Sequence, residues 1–472
     1  MRYRPIATYE DAVRFLEEGI NYERSRGWAY NTHSLNLGRM EDLLVALGNP
    51  ERRYHVLHVA GTKGKGSTAG AAAALLCRAG QRTGLLTSPH LVTHRERIRI
   101  DGRMISPEQF VSGVRRMRAY VDGKRVHEAA ADRAPTYFEM LTALAFDHFA
   151  EQGVDWAVVE VGLGGRLDST NVVQPDCCAI TTIGFDHTDK LGETADAIAG
   201  EKAGIIKPGV PVVLGRQQYA DALAALRRIA EERGCARWEV GRELTITARE
   251  PLCAPIERPD APIGWRFSLQ TPEGEYRDLV TPLLGPHQLD NLAAAVGAVQ
   301  MAARRIGIRV PPESVRQALA EFQMPGRVEV LQRRPVLILD VAHTVESIQA
   351  LWDTLGAHFP GRPVRVVFGC SADKNVAGML QVLRGRCAAF TVTQAQDMPR
   401  AMSAEEVAGI AIELGFGLDV PGGVHVMPNA VDAVDAALAQ ARPEEVVCIT
   451  GSFFTAGEVR ARWCQTHPGL ED

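Results

Sequence analysis

Two lysines stand inside one glycine-rich turn, Gly61-Thr62-Lys63-Gly64-Lys65-Gly66-Ser67. Residues of these types at this spacing suit phosphate chemistry. Glycines let the backbone approach phosphate oxygens, N–H groups at a helix start supply partial positive charge, and a lysine adds a full one. Ser67 adds a hydroxyl for a phosphate or its metal ion. The strand formers Val56, Leu57 and Val59 precede the turn, and an Ala-rich stretch runs from Thr68 as far as Gly80. Strand, loop and helix therefore come in the order a phosphate-binding loop needs. The spacing departs from the usual pattern, which has glycine where Val59 sits and Ser or Thr where Gly66 sits. A glycine-rich turn with no ligand is the plain alternative, but it gives two lysines no purpose.

More polar groups fall at the ends of apolar runs. Ser88 follows Thr83–Thr87, Glu160 lies in Trp156–Val161, and His187 follows the stretch that begins at Cys178. Burying a carboxylate without a partner costs about several kcal/mol. A divalent cation on bound phosphates would satisfy Glu160, and an ion pair with Arg166 is the alternative. Asp186-His187 reads either as a ligand at a strand end or as a helix cap followed by a core histidine. Lys202 lies among Ala199, Gly200, Ala203 and Gly204. The close packing such neighbours imply argues against a solvated surface lysine. Arg327 in a Pro-Gly-Arg turn, and Asp340 and His343 after a later strand, are weaker candidates for the same crevice. A common turn and a strand-end cap account for them equally well.

The elements that must position these groups alternate. Strands are expected at Tyr54–Val59, Thr83–Thr87, Trp156–Val161, Cys178–Ile183 and Val210–Leu214, with helices at Tyr9–Leu47, Pro135–Ala150 and Ala195–Ile206. Near-continuous apolar strands separated by helices mean crossover units and a mostly parallel, doubly wound α/β sheet. In such sheets ligands collect beyond the carboxyl ends of the strands, which places Ser88, Glu160, His187 and the lysine-bearing turn on one edge. From about Trp238 to Leu284 the period changes to alternation around a turn at Thr271–Glu275, an antiparallel hairpin appended to the sheet. The helix His287–Ile306 follows. A second strand–helix alternation then runs from Val336 to Ile449, through Val364–Phe368, Ala388–Val392 and Val424–Met427. The chain divides at residues 1–323 and 324–472, where Pro325-Gly326 interrupts the periodicity.

At 472 residues the chain exceeds one ordinary core, which agrees with two domains. A net charge of −5 argues against a non-specific nucleic-acid binder. No apolar stretch approaches a signal peptide core or a membrane span. The nine cysteines are scattered without a CxxC pair, which suits a reducing, cytoplasmic setting.

The runs GTKGKGS, TSPHLVTHRERIRIDG, VVEVGLGGRLDSTN, FDHTDKLGETADAIAGEKAGIIKPG, HQLDN, MPGR and DVAH occur in the order found in folylpolyglutamate and dihydrofolate synthases. The chain resembles that family, which belongs to the Mur ligase superfamily, across both expected domains. The resemblance implies an ATP-binding first domain and a smaller Rossmann-like glutamate ligase domain. It implies ATP-dependent amide formation: a pteroate or folate carboxylate takes the γ-phosphate to become an acyl phosphate, and the amino group of L-glutamate displaces phosphate. Closing a second domain would keep water from that intermediate.

Carried over by position, the resemblance gives Gly61, Thr62, Lys63, Gly64, Lys65, Gly66 and Ser67 to the ATP phosphates, with Asn291, Arg327 and Asp340 as further nucleotide positions. Ser88, Glu160 and His187 are metal positions for one or two magnesium ions, with a monovalent cation as a further candidate. Lys202 matches a lysine that is carbamylated in the family, so it joins the metal set in that form. Lys65, His187 and Lys202 are the catalytic candidates. Thr136, Tyr137, Phe138, Arg166, Leu167, Asp168 and Ser169 match segments around the pterin-bearing substrate, and the rings of Tyr137 and Phe138 suit stacking. His343 and Ser452 match the face where glutamate is expected. The resemblance also implies a monomer that works on small molecules, without nucleic acid or membrane.

Two residues depart from the family pattern. Lys63 replaces an asparagine, which adds a charge near the phosphates. Thr344 replaces the asparagine after Asp-x-Ala-His, so an amide becomes one hydroxyl. Two other readings stay open: a related ligase with a different acceptor, and a nucleotide-binding homologue without activity.

Overall fold

The apolar run before the lysine-bearing turn forms β1 (His55–Ala60), buried from Val56 onwards. Around it stand β2 (Thr83–Leu86), β3 (Ile98–Ile100), β4 (Arg103–Met104), β5 (Trp156–Glu160), β6 (Cys177–Ile180), β7 (Val212–Leu214) and β8 (Arg237–Glu239). They make one sheet in the order β4-β3-β2-β5-β1-β6-β7-β8. The strands from β2 to β8 pair in parallel, and β3 and β4 add an antiparallel edge. This is the doubly wound pattern that buried runs of Val, Ile and Cys demand. The computed structural model describes residues 5–23, 30–31, 34–126, 134–253, 261–396, 398–419 and 423–467.

The helices of this part are α1 (Tyr9–Glu17), α2 (Leu37–Ala46), α3 (Lys65–Arg78), α4 (Pro107–Val126), α5 (Tyr137–Glu151), α6 (Thr188–Leu191), α7 (Ala195–Ala203) and α8 (Ala220–Glu232). Met140, Leu144 and Phe146 of α5 pack with Val56 and Val159 of the sheet. Ile198 and Ala199 of α7 and Leu226 of α8 pack with Cys178, Ile180 and Val212. The continuous helix expected over Tyr9–Leu47 is instead α1 and α2, with part of the stretch between them outside the described residues. The chain leaves α1 at Gly19, where a Cβ would meet Met140, and the Ile20 carbonyl accepts from Tyr137 N–H at 3.1 Å. Asn36 then opens α2 by capping Gly38 N–H.

The hairpin expected after residue 238 is present as β10 (Gly264–Thr271) and β11 (Gly274–Thr281). With β9 (Thr245–Leu252) it forms a three-stranded sheet of its own, in the order β11-β10-β9. The helices α9 (Pro286–Ile306) and α10 (Pro312–Glu321) follow.

The second alternation gives β12 (Glu329–Arg333), β13 (Val336–Leu339), β14 (Val364–Phe368), β15 (Ala389–Gln394), β16 (Val424–Asn429) and β17 (Val446–Thr450), ordered β12-β13-β17-β14-β15-β16. Only β12 is antiparallel to its neighbour. The helices are α11 (Val345–His358), α12 (Val376–Leu383), α13 (Ala404–Glu413), α14 (Phe416–Asp419), α15 (Ala430–Gln440) and α16 (Phe453–Thr466). Ile338, Val366, Phe368, Phe390 and Cys448 of the sheet share a core with Ile348, Leu351 and Met379.

By its contacts the chain forms two compact units. The first is Met1–Thr247 with Ser268–Arg277 and Leu289–Leu319, and the second is Ala248–Phe267 with Asp278–Gln288 and Ala320–Asp472. The site residues below are described within each unit.

Candidate active site

In the first unit β2, β5, β1 and β6 lie side by side, so their carboxyl ends share one edge. Leu86 pairs with Val159, Val59 with Glu160, and Ala60 with Ile180. Ser88, Glu160, the Gly61–Ser67 loop and Asp186-His187 follow those ends directly. This common edge is where open α/β sheets bind ligands.

The loop is stitched to the exit of β6. Thr62 N–H and Lys63 N–H donate to the Thr182 carbonyl at 3.0 and 3.2 Å. Thr62 Oγ1 donates to the Gly184 carbonyl and accepts from Gly184 N–H, at 3.2 and 3.1 Å. Gly64, at the N-cap of α3, has φ +90°, and a Cβ there would collide with Asn291 Oδ1. Only glycine meets both demands. The expected nucleotide position Asn291 thus sits against the loop, and its carbonyl accepts from Thr68 Oγ1 at 3.4 Å. Lys65 opens α3 and donates to the Thr62 carbonyl at 3.3 Å, while Ser67 is buried in the helix's first turn.

Glu160 is 3% exposed, and its Oε2 accepts Ser88 N–H at 3.0 Å. The two expected metal positions are therefore adjacent. Arg166 is not its partner: that guanidinium binds Glu201. Arg97, itself 1% exposed, is a cation in the field of Glu160. Arg97 grips Glu23 through both terminal nitrogens at 2.7 Å and donates Nε–H to His90 Nδ1 at 2.9 Å, which fixes the loop after Ser88. His187 has φ 52°, makes no side-chain cap and keeps a half-exposed ring. The core-histidine reading does not hold.

Lys202 is 4% exposed, far from a solvated surface lysine. Burial, and then the like charge of Lys65, lower its pKa to about 7. The loop Gly162–Arg166 wraps the helix that carries it. A Cβ on Gly165 would come within 2.9 Å of the Glu201 and Lys202 carbonyls, and Arg166 N–H donates to the Glu201 carbonyl at 2.9 Å. The Glu201 carboxylate also accepts from Tyr30 OH at 3.1 Å. Sequence reading missed Glu201, Tyr30 and Arg97. Only the Glu201–Lys202 adjacency was a usable signal.

The expected substrate segments divide into walls and faces. Thr136 caps α5, exchanging hydrogen bonds with Glu139. Tyr137 is a core residue, 2% exposed, with its ring 5.9 Å from His94 and the Arg97 guanidinium 5.8 Å from its centroid. It has no exposed face for stacking. Phe138 is half-buried, and its ring fills the space a Cβ on Gly162 would need. Asp168 is buried, which raises its pKa, and it accepts from Leu163 N–H at 2.8 Å and Thr170 N–H at 3.0 Å. Leu167 and Ser169 are also buried, with Ser169 Oγ 3.1 Å from Thr142 Oγ1. Arg166 is the one exposed residue of this set, its side chain 52% accessible.

Arg327, Asp340, His343 and Ser452 belong to the second unit. Asp340 Oδ2 accepts from Val328 N–H at 2.9 Å and Oδ1 from Ala342 N–H at 2.8 Å, yet burial still raises its pKa. Ser452 caps α16. Thr344 caps α11: its hydroxyl accepts from Ser347 N–H, and Ser347 Oγ accepts from Thr344 N–H at 2.9 Å. Thr and Asn are both N-cap formers, so this departure from the family pattern keeps the local structure.

Among the described residues no three His, Cys, Asp or Glu side chains cluster tightly enough to hold a metal ion on their own. The expected set contains only two of those types, Glu160 and His187, with the Ser88 hydroxyl. A buried carboxylate and a hydroxyl are hard oxygen donors of the kind magnesium takes while keeping other positions for water and phosphate. The residues fit the ion.

Residues 59–299 match the Mur ligase middle domain, and residues 326–453 match the glutamate ligase domain of Mur ligases. The dihydrofolate synthase/folylpolyglutamate synthase of Bacillus subtilis is 34% identical over 446 residues, covering 93% of this chain and 99% of that protein. The chain belongs to the folylpolyglutamate and dihydrofolate synthase family of the Mur ligases. The family is one of ATP-dependent ligases. Its Mycobacterium tuberculosis member of the same description is 36% identical over 484 residues, covering 96% of this chain and 95% of that one. The fold agrees with solved members. Mycobacterium tuberculosis folylpolyglutamate synthase complexed with ADP superposes with a TM-score of 0.82 at 33% identity, covering 96% and 99% of the two chains. An FPGS–AMPPCP–folate complex superposes with a TM-score of 0.80 at 31% identity, covering 98% of this chain and all of that one.

Proposed function

We propose that this chain joins L-glutamate to the carboxylate of a pteroate or folate at the expense of ATP. One observation carries the reading within the family. Lys65, Glu160 and Ser88 belong to a helix start and adjoining strand ends of one sheet, and the buried Lys202, in the last turn of α7, feels the charge of Lys65; together they are the equipment of phosphoryl transfer to a carboxylate. The loop N–H groups and Lys65 hold the phosphates, and Asn291 braces the loop from the side. Ser88, Glu160 and His187 would hold magnesium, which when bound neutralises charge on phosphate oxygens. The γ-phosphoryl group passes to the substrate carboxylate, giving an acyl phosphate and ADP. The glutamate amine then attacks that carbonyl, losing a proton as phosphate leaves. Phe138 and Arg166 offer the accessible faces of the pterin segments, while Tyr137, Leu167, Asp168 and Ser169 shape the wall. Arg327 and Asp340 serve the nucleotide, and His343 and Ser452 the glutamate.

Lys202 acts as a carbamate in this reading. A pKa of about 7 leaves a large fraction as neutral amine at neutral pH. That form adds carbon dioxide and releases a proton, turning a buried cation into an anion that suits a metal site. We further take the enzyme to be a cytoplasmic monomer. Its nine cysteines are all free, and no described helix is long and apolar enough to cross a membrane.

The deciding assay measures phosphate release from ATP with glutamate and dihydropteroate, tetrahydrofolate or neither. Release dependent on a pterin supports the proposal. Equal release with neither pterin removes the folate acceptor. A catalytically silent homologue has little to stand on, since Thr344, its main support, is a working helix cap.

A further inference from the structure

One ring in the second unit touches two of the proposed functional residues at once. The Arg327 guanidinium carbon lies 5.0 Å from the centroid of the Phe453 ring. The His343 imidazole lies 5.7 Å from the same centroid, tilted by 57°. Both separations are those of favourable contacts, cation on π-face in the first case and aromatic pair in the second. Phe453 is the first residue of α16, directly after the N-cap Ser452, whose hydroxyl accepts from Phe454 N–H at 3.1 Å. The helix start therefore fixes where the half-buried ring stands. His343 is held from its other side, because its Nδ1 lies 2.8 Å from the Val341 carbonyl. A carbonyl only accepts, so Nδ1 carries a proton and Nε2 is the nitrogen left to face a ligand.

We propose that Phe453 is a positioning residue that sets the nucleotide-side Arg327 and the glutamate-side His343 in one arrangement. This rests on the roles given to those two residues above. Arginine has a long side chain with much rotamer freedom, and a π-face below its guanidinium removes part of that freedom before ligand arrives. An imidazole restrained by one hydrogen bond can still swing about its own torsions, and the ring limits that swing. Phe453 itself has no polar atom with which to bind either substrate. It acts through its neighbours.

The test compares Phe453→Ala, Phe453→Leu and Phe453→Tyr with the wild-type full chain. KM is measured for ATP, glutamate and the pterin, and ADP affinity by calorimetry. Loss of one cation–π contact corresponds to a change of about 3–10-fold. Phe453→Ala should raise KM for ATP and for glutamate by about that factor, weaken ADP similarly, and leave the pterin KM within about twofold. Phe453→Leu keeps bulk without a π-face, so it should weaken ADP while sparing glutamate in part. Phe453→Tyr should behave as wild type. A uniform rise in all three KM values, or ADP affinity unchanged in Phe453→Ala, overturns the inference. Arg327→Ala separates it from the reading it rests on. If Arg327→Ala binds ADP as wild type does, the nucleotide role of Arg327 fails. If Arg327→Ala is weakened and Phe453→Ala adds its full effect on top, the positioning role fails.

Discussion

The Arg166 guanidinium closes on the Glu201 carboxylate through Nε at 3.0 Å and Nη2 at 2.8 Å, and the next residue along the helix is the buried Lys202. The pair joins the glycine-rich loop after β5 to the helix that presents the lysine. Arg166 is half-exposed, so the pair adds little to global stability, about 0–1 kcal/mol. Its geometric role is larger. Glu201→Gln should shift the melting temperature by no more than about 2–4 °C yet lower kcat by about 10-fold or more, as loss of an orienting neighbour does at other metal sites. Thermal melts and steady-state rates on one preparation check both halves. A melting point that falls steeply, or an unaltered kcat, counts against an orienting role.

Lys63, the departure from the family pattern expected in the phosphate loop, has its N–H on the Thr182 carbonyl. A second cation should strengthen binding to a polyphosphate, more so at low salt because ions screen the interaction. Lys63→Asn should weaken ADP by about 3–10-fold at low ionic strength. The gap should narrow at about 0.5 M salt, where the Debye length is only a few ångströms. Calorimetric titrations at two salt concentrations read this directly, and a salt-independent gap would assign the effect to loop shape.

The start of α5 depends on a buried ion pair. Arg39 and Glu139 are 6% and 5% exposed at the side chain and meet at 2.8 Å, and Glu139 Oε2 also accepts Thr136 N–H at 2.8 Å. Removing one partner leaves a buried charge alone, so Glu139→Ala should cost about 3–5 kcal/mol. Thr136→Ala removes only a cap and should cost about 1 kcal/mol. Urea unfolding of the two variants decides the order, and a smaller loss for Glu139→Ala reverses it.

Much of the first sheet was legible in the sequence because a strand buried on both faces cannot hide its composition. Val56–Val59, Trp156–Val159 and the cysteine run before Ile180 are of that kind. The strand-end rule then brought Ser88, Glu160 and the loop together without structural help. What stayed illegible were contacts between distant segments. Glu201 reads as a surface residue until the Gly165 backbone is seen against it, and Tyr137 reads as a stacking ring until Arg97 and His94 are found around it. The antiparallel strand β12 carries no strong period of its own, whereas α4 does, with Phe110, Val114, Met117 and Val121 at helical spacing and buried in one core, and the sequence reading passed it over. The break between α1 and α2 is set by Met140 and Tyr137, more than a hundred positions further on.

Glu160 and His187 separate chemistry from folding. Glu160→Gln keeps the volume and a hydrogen-bond acceptor for Ser88 N–H, whose distance to Oε2 is now 3.0 Å. The fold should survive, while phosphate release should fall to below about 1% of wild type, as loss of a charge-stabilising group does elsewhere. His187→Ala should behave alike, because the ring it removes is half-exposed and lies outside the buried core. Circular dichroism with a phosphate-release assay covers both claims. Near-normal turnover in either variant removes that residue from the metal set.

Lys202 offers a pH-dependent check. Its folded pKa of about 7 lies below the ordinary lysine value of 10.5 because burial and Lys65 both oppose the charge. Between those two values the unfolded chain binds the proton and the folded chain does not. Stability therefore rises with pH across that window, and the gain is absent below about pH 7, where both states are protonated. Without bicarbonate, wild type should gain stability from pH 7 to pH 9 relative to Lys202→Met, which lacks the titrating group. With bicarbonate, carbon dioxide adds to the neutral amine, so carbamate should be far more abundant at pH 8 than at pH 6. Carbon-13 bicarbonate and a carbamate resonance lost in Lys202→Met follow this directly. Lys202→Ala should lose most activity and regain part of it with short carboxylic acids that restore an anion in the vacated space. A Lys202→Ala enzyme with wild-type rates, or no carbamate signal at pH 8, would leave the lowered pKa as a consequence of burial alone.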